Sequence, residues 1–262
     1  MSLAAETLTD PKKVAARRAW LRRAAAQSAF EARMILRNGE QLMVTIIFPV
    51  VILVLLAKTS IIEIDTQGAA TIDVIAPGVL AVAIMTTSFT SQAIATAFDR
   101  RNGVLRLMAT TPLGKSGLLA GKFCGVIAVE IVQVAIIVPV AVALGWRPEL
   151  GGIPAALGIV ALGTISFTAL AMLTAGVLRA EAVLAVANLV LAGLVVGGGV
   201  LAPAENLPGP LKHIALLLPS GALGDGLRGA FQHGAVPAFS VVILLAWSAA
   251  IGWGVNRLFK WQ

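Results

Sequence analysis

The stretch ATTPLGKS, residues 109–116, stands one residue away from the pattern Gly, four of any type, Gly-Lys-Ser/Thr. In that pattern glycine-rich backbone N–H groups wrap a phosphate between a strand and a helix, and the lysine reaches the outer phosphates. Here Ala109 takes the first glycine's place. A working phosphate loop also needs a strand before it, a helix after it and an acid on another strand to hold magnesium. Only about 27 residues, 96–122, separate the apolar runs that flank the stretch, and they leave no room for such a domain. Nucleotide hydrolysis is not expected of this chain.

The other reactive side chains are few. Ser220-Gly221 and the two histidines, His213 and His233, lie in one connection. An intramembrane serine protease would place its nucleophile in Gly-x-Ser-Gly, whereas Ser220 follows Leu218-Pro219 and neither histidine sits in an apolar run. Two histidines and the single Cys124, without a close cluster, cannot supply the three or four protein ligands usual for zinc. No catalytic residue, no metal and no directly bound cofactor are expected. Cys124 falls in an apolar run and reads as a small buried side chain.

Composition states what must position everything else. The chain has 262 residues, of which 58% are hydrophobic and 13% charged, about half the charge of an ordinary soluble domain. Six apolar runs near the ~20 residues that cross a bilayer occupy 41–57, 74–95, 123–144, 153–178, 182–202 and 238–255. Pro49, Pro77, Pro139 and Gly197 to Gly199 lie inside them, as spanning helices tolerate when neighbours satisfy the freed backbone groups. No ten-residue alternation of a membrane barrel is present. An all-α integral membrane protein of six spanning helices follows.

With six spans both termini share a side. Sixteen lysines and arginines fall on that side and four on the other, which puts both termini in the cytosol. The net charge of +7 is thus a topology signal rather than a nucleic-acid surface. Residues 1–40 precede the six-span unit, 41–262. Within them 11–37 reads as a helix in the cytosolic interface, with Arg17, Arg22 and Arg33 toward anionic lipid and Trp20 at headgroup depth. A basic solvated arm that only fixes topology is the other reading of that segment. The connection 96–122 is cytosolic. The external one, 203–237, is too apolar for a solvated loop and too short for two spans, so it predicts a re-entrant pair of short helices.

Inside the membrane the costly residues are Glu130 and Gln133, three apart and so on one face of the third span. A buried carboxylate could meet a cationic substrate; a hydrogen bond to a neighbouring span is the equal alternative. Thr87 and Ser91, in the polar run 86–92 of the second span, and Asn188 in the fifth are further candidates for a substrate path. Holding helices together is the preferred reading of these residues.

Read outward from ATTPLGKS, residues 99–112 run DRRNGVLRLMATTP, and Gly121-Lys122 opens the third span. This resembles the first cytosolic loop of type-2 ATP-binding-cassette export permeases, with Asp99, Arg100, Gly103, Leu105, Thr111, Pro112, Gly121 and Lys122 at the family's spacing. Arg101 and Arg106 depart from it, standing where the family has acids. Leu36-Arg37-Asn38 before Phe48-Pro49, and Asn206-Leu207-Pro208 through Leu218-Pro219 to Leu227-Arg228, resemble the family's approach to its first helix and its outer re-entrant pair.

The resemblance implies an exporter permease in the plasma (inner) membrane, paired with an identical or paralogous permease. It also implies a cytosolic ATPase subunit that carries the ATP and magnesium. The coupling residues toward that subunit would be Asp99, Arg100, Arg101, Gly103, Leu105, Arg106, Thr111 and Pro112, and the two reversed charges imply a dedicated partner. Aromatics are 5% of the chain and tyrosine is absent, which disfavours a sugar conduit and favours an apolar or amphipathic cargo such as a lipid or drug. An ATP-independent secondary transporter or channel working through Glu130 is the rival class.

Overall fold

A computed structural model describes residues 11–59, 70–110 and 114–258. Its elements are α1 (Pro11–Leu36), α2 (Gly39–Lys58), α3 (Thr71–Arg101), α4 (Val104–Ala109), α5 (Gly114–Ala143), α6 (Ile153–Val177), α7 (Ala180–Gly197), α8 (Leu211–Leu217), α9 (Pro219–His233) and α10 (Ala238–Leu258). No strand occurs among the described residues. Six helices are long and apolar enough to cross a membrane: α2, α3, α5 from Ala120, α6 together with the 3-10 turn before it, α7 and α10. The protein is a multi-pass, all-α membrane protein.

Helix ends follow local chemistry. Between α1 and α2 the Asn38 carboxamide accepts from the backbone N–H of Glu40 at 3.1 Å and of Gln41 at 3.3 Å, an N-cap that starts the first span. Pro219 opens α9, where a missing N–H costs nothing, and Gly234 closes it in the left-handed conformation at φ 70°. The fifth span stops at Gly197 rather than at 202, since Gly199 adopts φ 59° and turns the chain. The second span extends past its expected end at 95 to Arg101, so Asp99, Arg100 and Arg101 are the last helical turn of α3 rather than loop residues. At 31 residues α3 is about 46 Å long and outruns the ~30 Å hydrocarbon core.

The core is built around α3, buried over 89% of its most apolar stretch; α2, α7 and α10 are buried over 22, 17 and 17% of theirs and so offer their outer faces to lipid or protein. At one end of the bundle α9 packs against α3, α6 and α10 with α8 beside it. Backbone approaches there are close: a Cβ on Gly78 would strike Val200 O, and one on Gly198 would strike the Ser220 hydroxyl. Ser220 is fully buried, and neither histidine is its hydrogen-bond partner among the described residues.

At the other end α1 lies along the first turns of α5, in the same direction. A Cβ on Gly121 would stand 2.5 Å from Gln27 Cγ, one on Gly125 would stand 2.7 Å from Glu31 Cβ, and Val129 packs with Ala32 and Ile35. Four-residue steps on both helices keep the contact in register for two turns. Cys124, between these glycines, is exposed, so the expectation of a buried thiol is corrected: the glycine face of α5 meets α1 and turns Cys124 outward.

Candidate functional site

The end of the bundle that bears the 96–122 connection is tied together by ions. Lys122 Nζ, on α5, lies 3.0 Å from Glu31 Oε1 on α1 and 2.8 Å from Asp99 Oδ2 on α3; the lysine is 1% exposed and the glutamate 3%. The Arg100 guanidinium donates to the carbonyls of Gly176 and Leu178, the free acceptors at the C-terminus of α6, where a cation also meets the negative end of the helix dipole. Arg101 donates to Glu181 Oε1 on α7 at 2.6 Å and stacks over Phe98 at 5.5 Å. Three of the expected coupling residues therefore bind this chain itself. Arg101 has an acid of this chain beside it on α7, in a pair whose two side chains stay more than half exposed.

Gly103, at φ 74°, breaks α3 and starts α4, where Leu105 is buried and Arg106 and Leu107 face outward, Leu107 at 69% exposure. Thr111 and Pro112 lie outside the described residues. What projects from this end is thus a short helix with a cation and an apolar side chain, on a base clamped to α1, α5, α6 and α7. The sequence reading missed Glu31 and Glu181, whose roles depend on which helices they meet. An acid one helical turn from the small residues of a crossing point was the available signal for Glu31.

Within the spans the two polar residues of α5 have different surroundings. The Thr164 hydroxyl of α6 lies 3.0 and 2.9 Å from the two Glu130 carboxyl oxygens and can donate its one proton to that group, and Glu130 is 2% exposed. Gln133 Nε2 donates to Thr45 O at 2.6 Å, Thr87 Oγ1 at 2.7 Å and Ala83 O at 3.3 Å, linking α5 to α2 and α3. Thr45 lies in the π-helical turn Met43–Ile47 just before Pro49, where regular i to i−4 bonding is interrupted, and Gln133 supplies its carbonyl with a donor from α5. The same device recurs where Gln232 of α9 donates at 2.9 Å to Asp73 O, the carbonyl left without a helical donor by Pro77. Replacing Gln133 with leucine leaves Thr45 O and Thr87 without their donor. The expected cost is about 2 kcal/mol, read as a lower thermal midpoint in detergent.

A groove of about 660 Å3 opens between α2 and α7 over α3, lined by Met43, Ile47, Phe48, Leu191 and Val195 among others. Thr86 and Asn188 are its polar lining residues. Thr86 donates to Val82 O and Asn188 to Leu184 O, both at 2.8 Å, so the polar atoms are directed into their own helices and the groove stays apolar. Of the expected path residues Asn188 reaches this groove; Thr87 and Ser91 are buried, and neither they nor Glu130 and Gln133 line it. On α1, Trp20 is half-buried, Arg22 and Arg33 are exposed, and the Arg17 side chain lies outside the described residues.

A sequence model of the ABC-2 family transporter proteins matches residues 58–255. The chain belongs to the ABC-2 transporter family. The match takes in α3 to α9 and most of α10, with the clamped base, α4 and the α8–α9 pair, and leaves α1 and nearly all of α2 ahead of it. No curated protein matches the chain significantly. An ABC-2 permease implies an ATPase subunit in general terms.

Proposed function

We propose that this ABC-2 permease is the membrane half of an exporter that moves an apolar or amphipathic molecule, lipid-like or drug-like, outward. ATP and magnesium are held and ATP is hydrolysed by a separate cytosolic subunit, and the chain itself catalyses no hydrolysis. It sits in the plasma (inner) membrane with both termini cytosolic. It pairs with a second permease, and α8–α9 dips into the outer leaflet.

The observation that carries this reading is α4. Its exposed Arg106 and Leu107 stand on a base anchored to four other helices, so a force on α4 reaches the spans as a rigid-body movement rather than being lost in a loop. Arg106 keeps the expectation of an acidic partner surface. The groove supports the cargo class, because a wall of aliphatic and aromatic side chains open to the bilayer suits a molecule that arrives from lipid. The rival secondary-transport reading gains nothing from the groove, which Glu130 does not line.

The chain is to be purified from its native membrane in mild detergent, and co-purifying subunits and ATPase activity measured for the native protein and Arg106→Glu. An ATPase subunit should accompany the native chain, with a loss of about tenfold in its retention in the variant, corresponding to ~1.4 kcal/mol. A chain that arrives alone, ignores ATP and transports in step with a proton gradient overturns the reading.

A further inference from the structure

Arg33 and Arg37 are four residues apart, share one face of α1 and its outlet, and are exposed. With Asn38 and Gly39 they line a recess of about 630 Å3 at the corner where α1 turns into α2, and Phe30 and Met34 form its apolar lip. Neither guanidinium is ion-paired among the described residues. Glu31 is committed to Lys122 and the Asn38 side chain to its cap, while Glu40 is exposed and joins no ion pair among those residues. The packing of α1 along Gly121 and Gly125 fixes where the two cations stand.

The recess leads on. Gly39 lines the recess and Met43 the start of the apolar groove, four residues apart on α2, so the cationic pocket and the trough of about 660 Å3 lie about one helical turn from each other. Planar guanidinium forks suit phosphate oxygens, and the trough suits a hydrocarbon chain. That is the charge and polarity distribution of one phospholipid. We infer that this corner binds an anionic phospholipid, its phosphate between Arg33 and Arg37 and one acyl chain laid over Met43 and Ile47 into the groove between α2 and α7. The site needs only that the chain is embedded in a bilayer, so it and the ATP-driven reading can fail independently.

Native mass spectrometry of the purified full chain tests it, titrating phosphatidylglycerol, phosphatidylcholine of the same acyl chains, and soluble glycerol phosphate. The native protein should retain phosphatidylglycerol in preference to the other two. Arg33→Gln with Arg37→Gln should weaken phosphatidylglycerol about thirtyfold, the product of two basic residues' attraction to an anionic headgroup, and weaken phosphatidylcholine, whose choline cancels its phosphate charge, far less. Met43→Ser with Ile47→Ser should weaken the lipid severalfold. Arg18→Gln with Arg179→Gln removes the same charge from exposed positions outside the recess and should change little. An equal loss in that control means diffuse attraction and overturns the site. Glycerol phosphate binding as tightly as the lipid means a free-anion site, and a lipid-free dimer means that a second copy covers the groove; either result overturns the lipid assignment.

Discussion

Lys122→Met is expected to lower the thermal midpoint of the purified protein by about 10 °C. The methionine keeps most of the apolar stem but removes the one cation between Glu31 and Asp99, at 3.0 and 2.8 Å, and leaves two carboxylates where the lysine was 1% exposed. Breaking a buried pair by removing one partner costs about 3–5 kcal/mol because the remaining charge is uncompensated. At about 2–4 °C per kcal/mol for a chain of this size class, the shift should be plain in a fluorescence melt. The companion variant Glu31→Gln, Asp99→Asn, Lys122→Met removes all three charges and should recover most of the loss, since neutral replacements of a buried ion cluster are often tolerated. A single variant as stable as the native protein would show that the triad is not a closed, dehydrated ion cluster. The prediction also separates stability from coupling. If the neutral triple variant is stable yet loses the response of its ATPase partner, the triad transmits movement as well as holding α1, α3 and α5 together.

Arg228→Met should do comparable damage at the opposite end. Arg228 is 5% exposed; it donates to Val200 O at 2.8 Å and Gly199 O at 3.1 Å and pairs with Asp225 at 2.6 Å. The two carbonyls belong to the turn that ends α7, so this one side chain fastens α9 to the fifth span. Its loss strands an acid and two acceptors, an expected cost of about 3 kcal/mol with the acid side chain 24% exposed to water. The local readout is faster hydrogen exchange in α8 and α9 than in α3, because opening should begin where the fastening was. Arg228→Lys keeps the charge but not the fork and should recover only part of the loss. Uniform loosening of all spans, with α8–α9 no worse than the rest, would contradict the role given to this arginine.

Much of this protein is legible in one dimension. Length and apolarity of a run decide whether it can span a bilayer, and both are local, so six spans and the all-α class follow from composition. The motif from Asp99 to Pro112 with Gly121-Lys122 pointed to the family that the match over residues 58–255 establishes. Span ends were less legible. Arg100 and Arg101 read as loop because charge usually ends a span, yet α3 carries them in helix: it outruns the hydrocarbon, and its last turn is fastened to α6 and α7.

Pairing was beyond the sequence. Gln133 is a costly residue in any membrane helix, but only packing reveals that it faces the Thr45 carbonyl in the irregular turn before Pro49. Arg101 lies beside Glu181, eighty residues away, a pairing that no spacing along the chain announces. Glu130 and Asn188 were both candidates for a substrate path, and tertiary structure put one against Thr164 and the other on the groove wall. The sequence by itself determined the solvent each segment requires, because transfer free energy is a property of the residues in a segment. The fold alone decided the partner of each polar group inside that solvent, because a hydrogen bond or ion pair forms only between atoms that packing brings within about 3 Å of one another.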